Sequence, residues 1–238
     1  MKHTVKLFGL EIYTNGKEQL LEDIKERNGK THIISGSGWV LKFPLNDENR
    51  YRLFSGKENI IIPDALSVYF PIKRKMKDAK KIIGIEFMDF LLNYYQDTDK
   101  SVYFLGAKES VIEIFINVVK KSYPKLKIAG YRDGYFDINS CNDVIRKIKD
   151  SQASILFVGL GAPVQEDFIF RYMYELPCEL FMGVGGSFDV LSGSIKRSPQ
   201  WMNYLHLEWL YRMVQDPSKI DRTWDYVFCL IKGLFDNT

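Results

Sequence analysis

Two apolar runs in the second half of the chain each end in a glycine-rich turn, and they constrain the fold more than any other feature. The first run leads into Gly159–Gly161, and the second leads into Gly185 and Gly186. A segment with helical character follows each turn. A buried parallel strand followed by a glycine turn and a helix N-terminus presents backbone N–H groups suited to phosphate. Because the two turns lie close together in the sequence, we predict a nucleotide or diphosphate site.

Four other short runs of β-branched and aromatic residues predict further strands, at Thr31–Ser35, Asn59–Pro63, Ser101–Gly106 and Lys127–Gly130. Helical patterns lie between several of these runs. Strands that alternate with helices are typical of a mostly parallel sheet covered on both faces. We therefore predict an α/β fold for residues 1–195, with a mostly parallel, Rossmann-like sheet and helices on both faces. In such sheets the ligand lies beyond the carboxyl ends of the strands, where both glycine turns should emerge.

Three helices are predicted between the strands, at residues 110–123, 142–150 and 164–175. The third has Pro163 at its first position, where proline is favoured. The first carries apolar residues at helical spacing, which predicts a buried face made of Val111, Ile114, Phe115, Val118 and Val119.

The last part of the chain differs in character, and we predict a C-terminal helical appendage over residues 196–238. Three of the four tryptophans lie there. Helical spacing predicts an amphipathic helix with an apolar face made of Ile220, Trp224, Val227, Ile231 and Leu234. Such a helix packs against its own domain or lies in a membrane interface, and the pattern alone favours the first alternative.

The composition indicates a soluble globular protein, since 46% of the 238 residues are hydrophobic and 26% are charged. A net charge of +3 is too small to indicate nucleic acid as a partner. The densest basic run, Lys73–Lys77, is interpreted as a solvated loop. The alternative is a surface that faces an anionic substrate or lipid headgroups.

The three cysteines are far apart in sequence, so they predict neither a disulfide framework nor a metal site, and a reducing cytoplasm fits them best. No apolar run approaches the roughly 20 residues that span a bilayer, and the N-terminus lacks the apolar region of a signal peptide. Any membrane contact is therefore expected to be peripheral.

Polar residues stand beside the predicted ligand edge of the sheet. Gln165 and Glu166 occupy the first turn of one predicted helix, and Asp189 follows the second glycine turn. A carboxylate in a first helical turn often only complements the helix dipole, and for Glu166 taken alone this capping role is the preferred interpretation.

Two further candidates follow earlier strands. Asp64 follows the run that starts at Asn59, where a carboxylate can act as a general base, although an Asx-type turn after Pro63 explains it equally well. Ser35 and Ser37 offer two hydroxyl groups to a sugar or phosphate oxygen, or they only belong to a turn between strand and helix.

Several classes of site find no sequence support. The first glycine turn is not a full dinucleotide fingerprint, and no phosphate-binding loop of the G-x-x-x-x-G-K-[ST] type occurs, which argues against a dehydrogenase-like nucleotide protein. The three histidines, His3, His32 and His206, have no metal-ligand spacing, and no D-x-D appears in the predicted edge loops. We expect a metal-independent mechanism and no cofactor.

Four ordered blocks of residues carry a family resemblance. They are Gly159–Glu166, Gly183–Gly193, Lys196–Met202 and Leu207–Arg212. Together they resemble the WecG/TagA/CpsF family of glycosyltransferases, and the likeness extends more thinly through Phe104–Lys108, Gly130–Phe136 and Pro63–Asp64. The resemblance implies a transferase that moves an N-acetylmannosamine-type sugar, with inversion, from a UDP donor to an undecaprenyl-diphosphate-linked sugar at the cytoplasmic face of the membrane.

The resemblance also implies roles for individual residues. Asp64 is the candidate base and Gln165 lies near the reacting groups. The donor would contact the two glycine motifs, at Gly161, Pro163, Glu166, Gly185, Gly186, Phe188 and Asp189. The acceptor would contact Ser35, Ser37, Lys81, Arg212, Lys219 and Arg222. With these roles, membrane contact becomes the preferred interpretation for part of the appendage. Whether the chain forms a homo-oligomer stays open.

Three positions depart from the family pattern, all in the acceptor-facing half. Ser35 and Ser37 replace a Thr-x-Asn pair, Ala65 replaces a glycine, and Lys80–Glu86 replaces a Glu-Arg-x-x-Gly-x-Asp pattern. These departures keep open an alternative function, a nucleotide-sugar-binding protein without transfer activity that acts in a polysaccharide assembly complex.

Overall fold

The computed structural model describes residues 3–195 and 220–237. These ranges contain eight strands: β1 (Thr4–Leu7), β2 (Leu10–Tyr13), β3 (Thr31–Gly36), β4 (Asn59–Pro63), β5 (Ser101–Gly106), β6 (Lys127–Arg132), β7 (Ile155–Gly159) and β8 (Leu180–Gly183). They also contain ten helices: α1 (Lys17–Lys25), α2 (Gly38–Leu45), α3 (Glu48–Phe54), α4 (Leu66–Lys75), α5 (Gly84–Tyr95), α6 (Glu109–Ser122), α7 (Asn142–Ser151), α8 (Val164–Tyr172), α9 (Ser187–Leu191) and α10 (Ile220–Leu234).

All eight strands form one sheet, in the order β1-β2-β4-β3-β8-β7-β5-β6. Only the hairpin partner β1 is antiparallel to its neighbour. The predicted α/β fold with a mostly parallel, Rossmann-like sheet is therefore confirmed. β5 and β7 are neighbours, and the strands that follow them in sequence lie on opposite sides of this pair. β6 lies at the outer edge next to β5, and β8 lies toward the centre of the sheet next to β7. This reversal is where α/β sheets open a crevice for ligands, and the first glycine turn follows β7.

Helices cover both faces of the sheet, as predicted. One face packs against α1, α5, α6 and α9, and its buried side chains include Leu20, Phe87, Phe115 and Phe188. The other face packs against the remaining helices, through side chains such as Val144, Phe168, Val68 and Cys229. The inner strands β3, β4, β5, β7 and β8 are buried on both sides, which accounts for their continuous apolar sequences.

The buried face of α6 differs from the predicted one. Ile114 and Val118 are 47% and 37% exposed, whereas Ile112 and Ile116 are buried beside Phe115. Apolar residues surround most of this helix, so helical spacing fits two overlapping stripes equally well. The choice between them is made by the position of α6 against the sheet.

The predicted apolar face of the C-terminal helix is also only partly correct. Trp224 and Ile231 are 70% and 54% exposed. The helix instead packs against α2 and α4 through the face that carries the buried Cys229. A Cβ atom on Gly38 would lie 2.9 Å from the Cβ of Cys229, so the two helices approach closely only because glycine stands there. Within the described ranges, no helix is both long and apolar enough to cross a membrane.

Candidate active site

The parallel strands bring the candidate residues to one edge of the sheet. Ser35 and Asp64 lie at the carboxyl ends of the paired strands β3 and β4. The two glycine turns follow β7 and β8, which are also neighbours. Since β3 pairs with β8, the two groups meet at the centre of the sheet. Ser35 Oγ donates a hydrogen bond to the carbonyl oxygen of Gly183 at 3.4 Å, which joins them directly.

Gln165 connects the two glycine turns. Its side chain is 3% exposed, and its oxygen Oε1 accepts hydrogen bonds from the backbone N–H of Gly161 at 3.2 Å and of Gly185 at 3.0 Å. Both glycines have a positive φ, +77° and +51°, which glycine adopts without strain. A single carboxamide oxygen therefore holds the ends of two adjacent strand-turn-helix junctions together.

These bonds change the expected role of the glycine N–H groups. Those of Gly161 and Gly185, predicted to bind phosphate, already donate to Gln165. The N–H groups of Ala162 and Gly186 in the same turns donate to no residue in the described ranges. As far as the described ranges show, these two N–H groups are therefore available to a ligand.

Glu166 lies behind Gln165 rather than at an open surface. Its side chain is 1% exposed, and its Oε1 accepts a hydrogen bond from Gln165 Nε2 at 2.8 Å. Within the described ranges, no group donates to the buried Oε2. Burial raises the pKa of the Glu166 carboxyl to about 7, while the bond from Gln165 and the charge of Arg50 act in the opposite direction. Glu166 lies in the first turn of α8, where a carboxylate complements the helix dipole, so the capping role stays a prediction beside the bond to Gln165.

Three other predicted donor residues occupy different environments. Pro163 immediately precedes α8, one position before the predicted one. Phe188 is fully buried against Phe104 and Phe115, so the predicted direct contact with a donor does not fit its packing; the ring instead lies under Gly159 and supports the turn. Asp189 is half-buried in α9, beside Gly186.

Asp64 is held at the start of α5. Its Oδ1 accepts a hydrogen bond from the backbone N–H of Gly84 at 3.0 Å. A Cβ atom on Gly84 would lie 2.6 Å from Ser35 Oγ and 3.4 Å from Asp64 Oδ2. The hydroxyl and the carboxylate therefore converge over a residue with no side chain. Both are half-buried, so they lie within reach of the cleft.

The remaining predicted acceptor residues are only partly described. Ser37 caps α2, since its Oγ accepts a hydrogen bond from the N–H of Val40 at 3.2 Å, which agrees with the strand-to-helix alternative. Lys81 is half-buried before α5, next to Ile82, whose N–H bonds to the carbonyl of Pro63 at 3.3 Å. Arg212, Lys219 and the side chain of Arg222 lie outside the described residues.

Sequence reasoning missed two residues that support the site. Gly84 leaves the space into which Ser35 and Asp64 point, and Trp39 Nε1 donates to the carbonyl oxygen of Ala162 at 3.2 Å. The sequence offered a signal for each. Gly84 belongs to the segment that departs from the family pattern, and Trp39 is the one tryptophan outside the C-terminal stretch.

Comparison with known proteins identifies the family. A family model described as the WecG/TagA/CpsF glycosyl transferases matches residues 5–236. Two relatives, from Bacillus spizizenii strain W23 and Bacillus subtilis strain 168, are named N-acetylglucosaminyldiphosphoundecaprenol N-acetyl-beta-D-mannosaminyltransferase. They are 37% and 35% identical over 74% and 78% of this chain, and the matches cover 68% and 72% of the relatives. A relative of the same name from Staphylococcus aureus strain MW2 is 27% identical over 92% of this chain and 87% of its own length. The chain belongs to the WecG/TagA/CpsF family of glycosyltransferases.

Proposed function

We propose that this glycosyltransferase moves an N-acetylmannosamine-type sugar, or a related hexose, from a UDP donor to a lipid-diphosphate-linked N-acetylglucosamine, with inversion and without a metal ion. The names of the relatives support the sugar and the acceptor. One structural observation carries the proposal: Asp64 and Ser35 converge over Gly84 at the same sheet edge as the two glycine turns. A candidate base and a candidate phosphate site therefore lie side by side.

In the proposed mechanism, Asp64 is the general base. It takes the proton of the acceptor hydroxyl as that oxygen attacks the anomeric carbon of the donor, and the bond to UDP breaks from the opposite side. The N–H of Gly84 holds Oδ1, which fixes the direction of the carboxylate. A positioned general base contributes about 10²-fold to 10⁴-fold to the rate.

The departing UDP carries negative charge that the site must stabilise. Partial positive charge for the diphosphate comes from the N–H groups of Ala162 and Gly186. The N-terminus of the nine-residue helix α8 adds to it. We retain Arg212, Lys219 and Arg222 as cations that contact the lipid diphosphate, in line with the family resemblance.

We further propose peripheral contact with the cytoplasmic face of the membrane through α10. Trp224, Phe228, Ile231 and Phe235 form a stripe along this helix and are between 54% and 76% exposed. Basic residues of α4 lie beside the end of the stripe, since Arg74 bonds to the carbonyl of Leu234. Aromatic side chains beside basic ones suit the boundary between headgroups and acyl chains of an anionic leaflet.

A direct assay tests the function. The full chain is incubated with UDP-N-acetylmannosamine and a short-chain lipid-diphosphate N-acetylglucosamine, with and without a chelator, and both UDP release and product configuration are measured. We expect a β-linked product and equal rates in both conditions. UDP binding without UDP release under any condition would contradict transfer. It would favour the alternative, a nucleotide-sugar-binding partner in polysaccharide assembly. The altered Ser35, Ser37 and Ala65 positions are the sequence feature that supports this alternative.

A further inference from the structure

The buried carboxylate of Glu166 has a partner but no described contact with an open site. It is 1% exposed, it accepts one hydrogen bond from Gln165, and its second oxygen accepts none within the described ranges. We propose that Glu166 is a positioning residue: it fixes the orientation of the Gln165 carboxamide, and it thereby sets the distance between the two glycine turns. Its role toward the donor rests on the function proposed above.

The chemistry of the carboxamide explains why its orientation matters. One end of a glutamine side chain accepts hydrogen bonds and the other end donates them. The backbone N–H groups of Gly161 and Gly185 both point at this side chain, so the end that faces them must be the oxygen. A carboxylate only accepts, so Glu166 requires the opposite end to be the nitrogen. Rotation of the amide by a half-turn would break all three bonds at once.

Stability alone does not account for a carboxylate at this position. A buried charge with an unsatisfied oxygen opposes folding, and an apolar side chain of similar volume is often neutral or stabilising at such a site. Burial also raises the pKa of the group to about 7, which reflects that cost. Above this pKa the group is ionised, and the benefit that offsets the cost is then the charge-assisted bond to Gln165, which is stronger than a bond between neutral groups.

The consequence for the donor follows from the position of the turns. Ala162 and Gly186, whose N–H groups are open to a ligand, are each adjacent to a glycine that Gln165 holds. If the carboxamide turned, the two turns would lose the hydrogen-bond acceptor that they share, and the N–H groups of Ala162 and Gly186 would no longer be held in fixed positions for the donor. The donor would then bind less tightly even though no residue that contacts it had been altered.

The test uses the full chain with Glu166→Leu, Glu166→Gln, Gln165→Ala and the double variant Gln165→Ala/Glu166→Leu. UDP affinity is measured by calorimetry, folding by thermal melting, and exchange of the Gly161 and Gly185 amide protons by NMR. Asp167→Asn is the matched control. Asp167 is the next residue on the same helix and pairs with Arg50 at 2.7 Å, without a bond to Gln165.

We expect Glu166→Leu to melt no lower than the wild type and yet to bind UDP roughly tenfold or more weakly, with faster exchange at both glycines. Glu166→Gln, which keeps an oxygen for the Gln165 amide, should lose less affinity. In the double variant, Glu166→Leu should add nothing to the loss caused by Gln165→Ala, because both act through one carboxamide.

Three results would overturn the role of Glu166: wild-type UDP affinity in Glu166→Leu, additive losses in the double variant, or an equal loss in Asp167→Asn. If Glu166→Leu does not fold, Glu166→Gln combined with Gln165→Ala replaces it, and additive losses again decide against the proposal. A wild-type chain that does not bind UDP would contradict the proposed function instead. Amide exchange at the two glycines would still test the positioning role.

Discussion

The two polar groups at the carboxyl edge of the sheet differ in exposure and in bonding. Gln165 and Glu166 are 3% and 1% exposed, and they bond to each other and to the backbone of two turns. Asp64 and Ser35 are half-buried and converge over a glycine. A buried, mutually bonded pair holds the backbone in place, whereas a half-buried carboxylate has a surface open to a substrate. In our account the first group is a frame for the donor and the second carries the chemistry.

The largest effect is expected where the reacting group itself is changed. Asp64→Asn keeps the shape and the bond from the N–H of Gly84 but removes the base, so kcat should fall by about 10²-fold to 10⁴-fold. Steady-state UDP release with the lipid-linked acceptor measures it. Asp189→Asn provides the comparison beside the second glycine turn, and an equal loss of kcat there would show that the effect is not specific to Asp64.

The second effect is a dependence of the free energy of unfolding on pH, caused by Glu166. Because the folded-state pKa of Glu166 is raised to about 7 from 4.5, the folded chain holds a proton between these values that the unfolded chain has lost. This group therefore makes the free energy of unfolding fall as pH rises from 4.5 to 7, by about 1.4 kcal/mol per pH unit. Glu166→Gln should remove that contribution in denaturation experiments across this range.

His32 provides the internal control for the pH measurement. Burial lowers its pKa to about 3, so the unfolded chain binds the extra proton below pH 6.5 and stability rises with pH from 3 to 6.5. The two contributions have opposite signs. Between pH 4.5 and 6.5 the stability of Glu166→Gln should therefore rise, whereas the two contributions cancel and leave the stability of the wild type nearly constant. Parallel curves for the two proteins would show that Glu166 does not titrate in this range.

A smaller effect should follow from filling the space over Gly84. A Cβ atom there would lie 2.6 Å from Ser35 Oγ and displace the hydroxyl, so Gly84→Ala should lower kcat roughly 10-fold to 100-fold through misplacement of the reacting groups. UDP affinity should change much less. Ser35→Ala combined with Gly84→Ala relieves the clash. If the double variant loses more kcat than the product of the two single losses, the clash with the Ser35 hydroxyl is not the cause.

The smallest effect should appear at the membrane surface. Replacement of Trp224 and Phe228 by serine removes two exposed aromatic side chains, so co-sedimentation with anionic vesicles should fall by about tenfold. UDP affinity should not change, because Gln165, Glu166 and the two glycine turns are not altered. Tyr174→Ser is the control, since Tyr174 is 68% exposed outside this stripe. Equal loss in the control would mean that the stripe has no special role.

The sequence predicted the strands and the glycine turns well because these depend on local patterns. Continuous apolar runs indicated strands buried on both faces, and the structure has strands at each predicted place. The helix faces were less predictable. In α6 two apolar stripes overlap, and in α10 the buried side is set by the close approach to Gly38 rather than by the aromatic residues.

The sequence predicted which residues belong to the candidate site but not the hydrogen bonds and packing contacts that they make. The sequence placed Gln165 and Glu166 in the first turn of a helix, yet it could not indicate that one carboxamide bridges Gly161 and Gly185, which belong to two separate turns. The family resemblance assigned Phe188 to the donor, but the burial of its side chain depends on the packing of α9 against α6. Contacts between distant segments decide both outcomes.

The separation of frame and chemistry is tested most directly by UDP titration of Asp64→Asn and Gln165→Ala in parallel, with kcat measured on the same preparations. We expect Asp64→Asn to keep its UDP dissociation constant within about threefold while kcat falls, and Gln165→Ala to bind UDP at least about tenfold more weakly. An Asp64→Asn variant that loses UDP affinity as severely as Gln165→Ala, or a Gln165→Ala variant that binds UDP normally, would contradict the account.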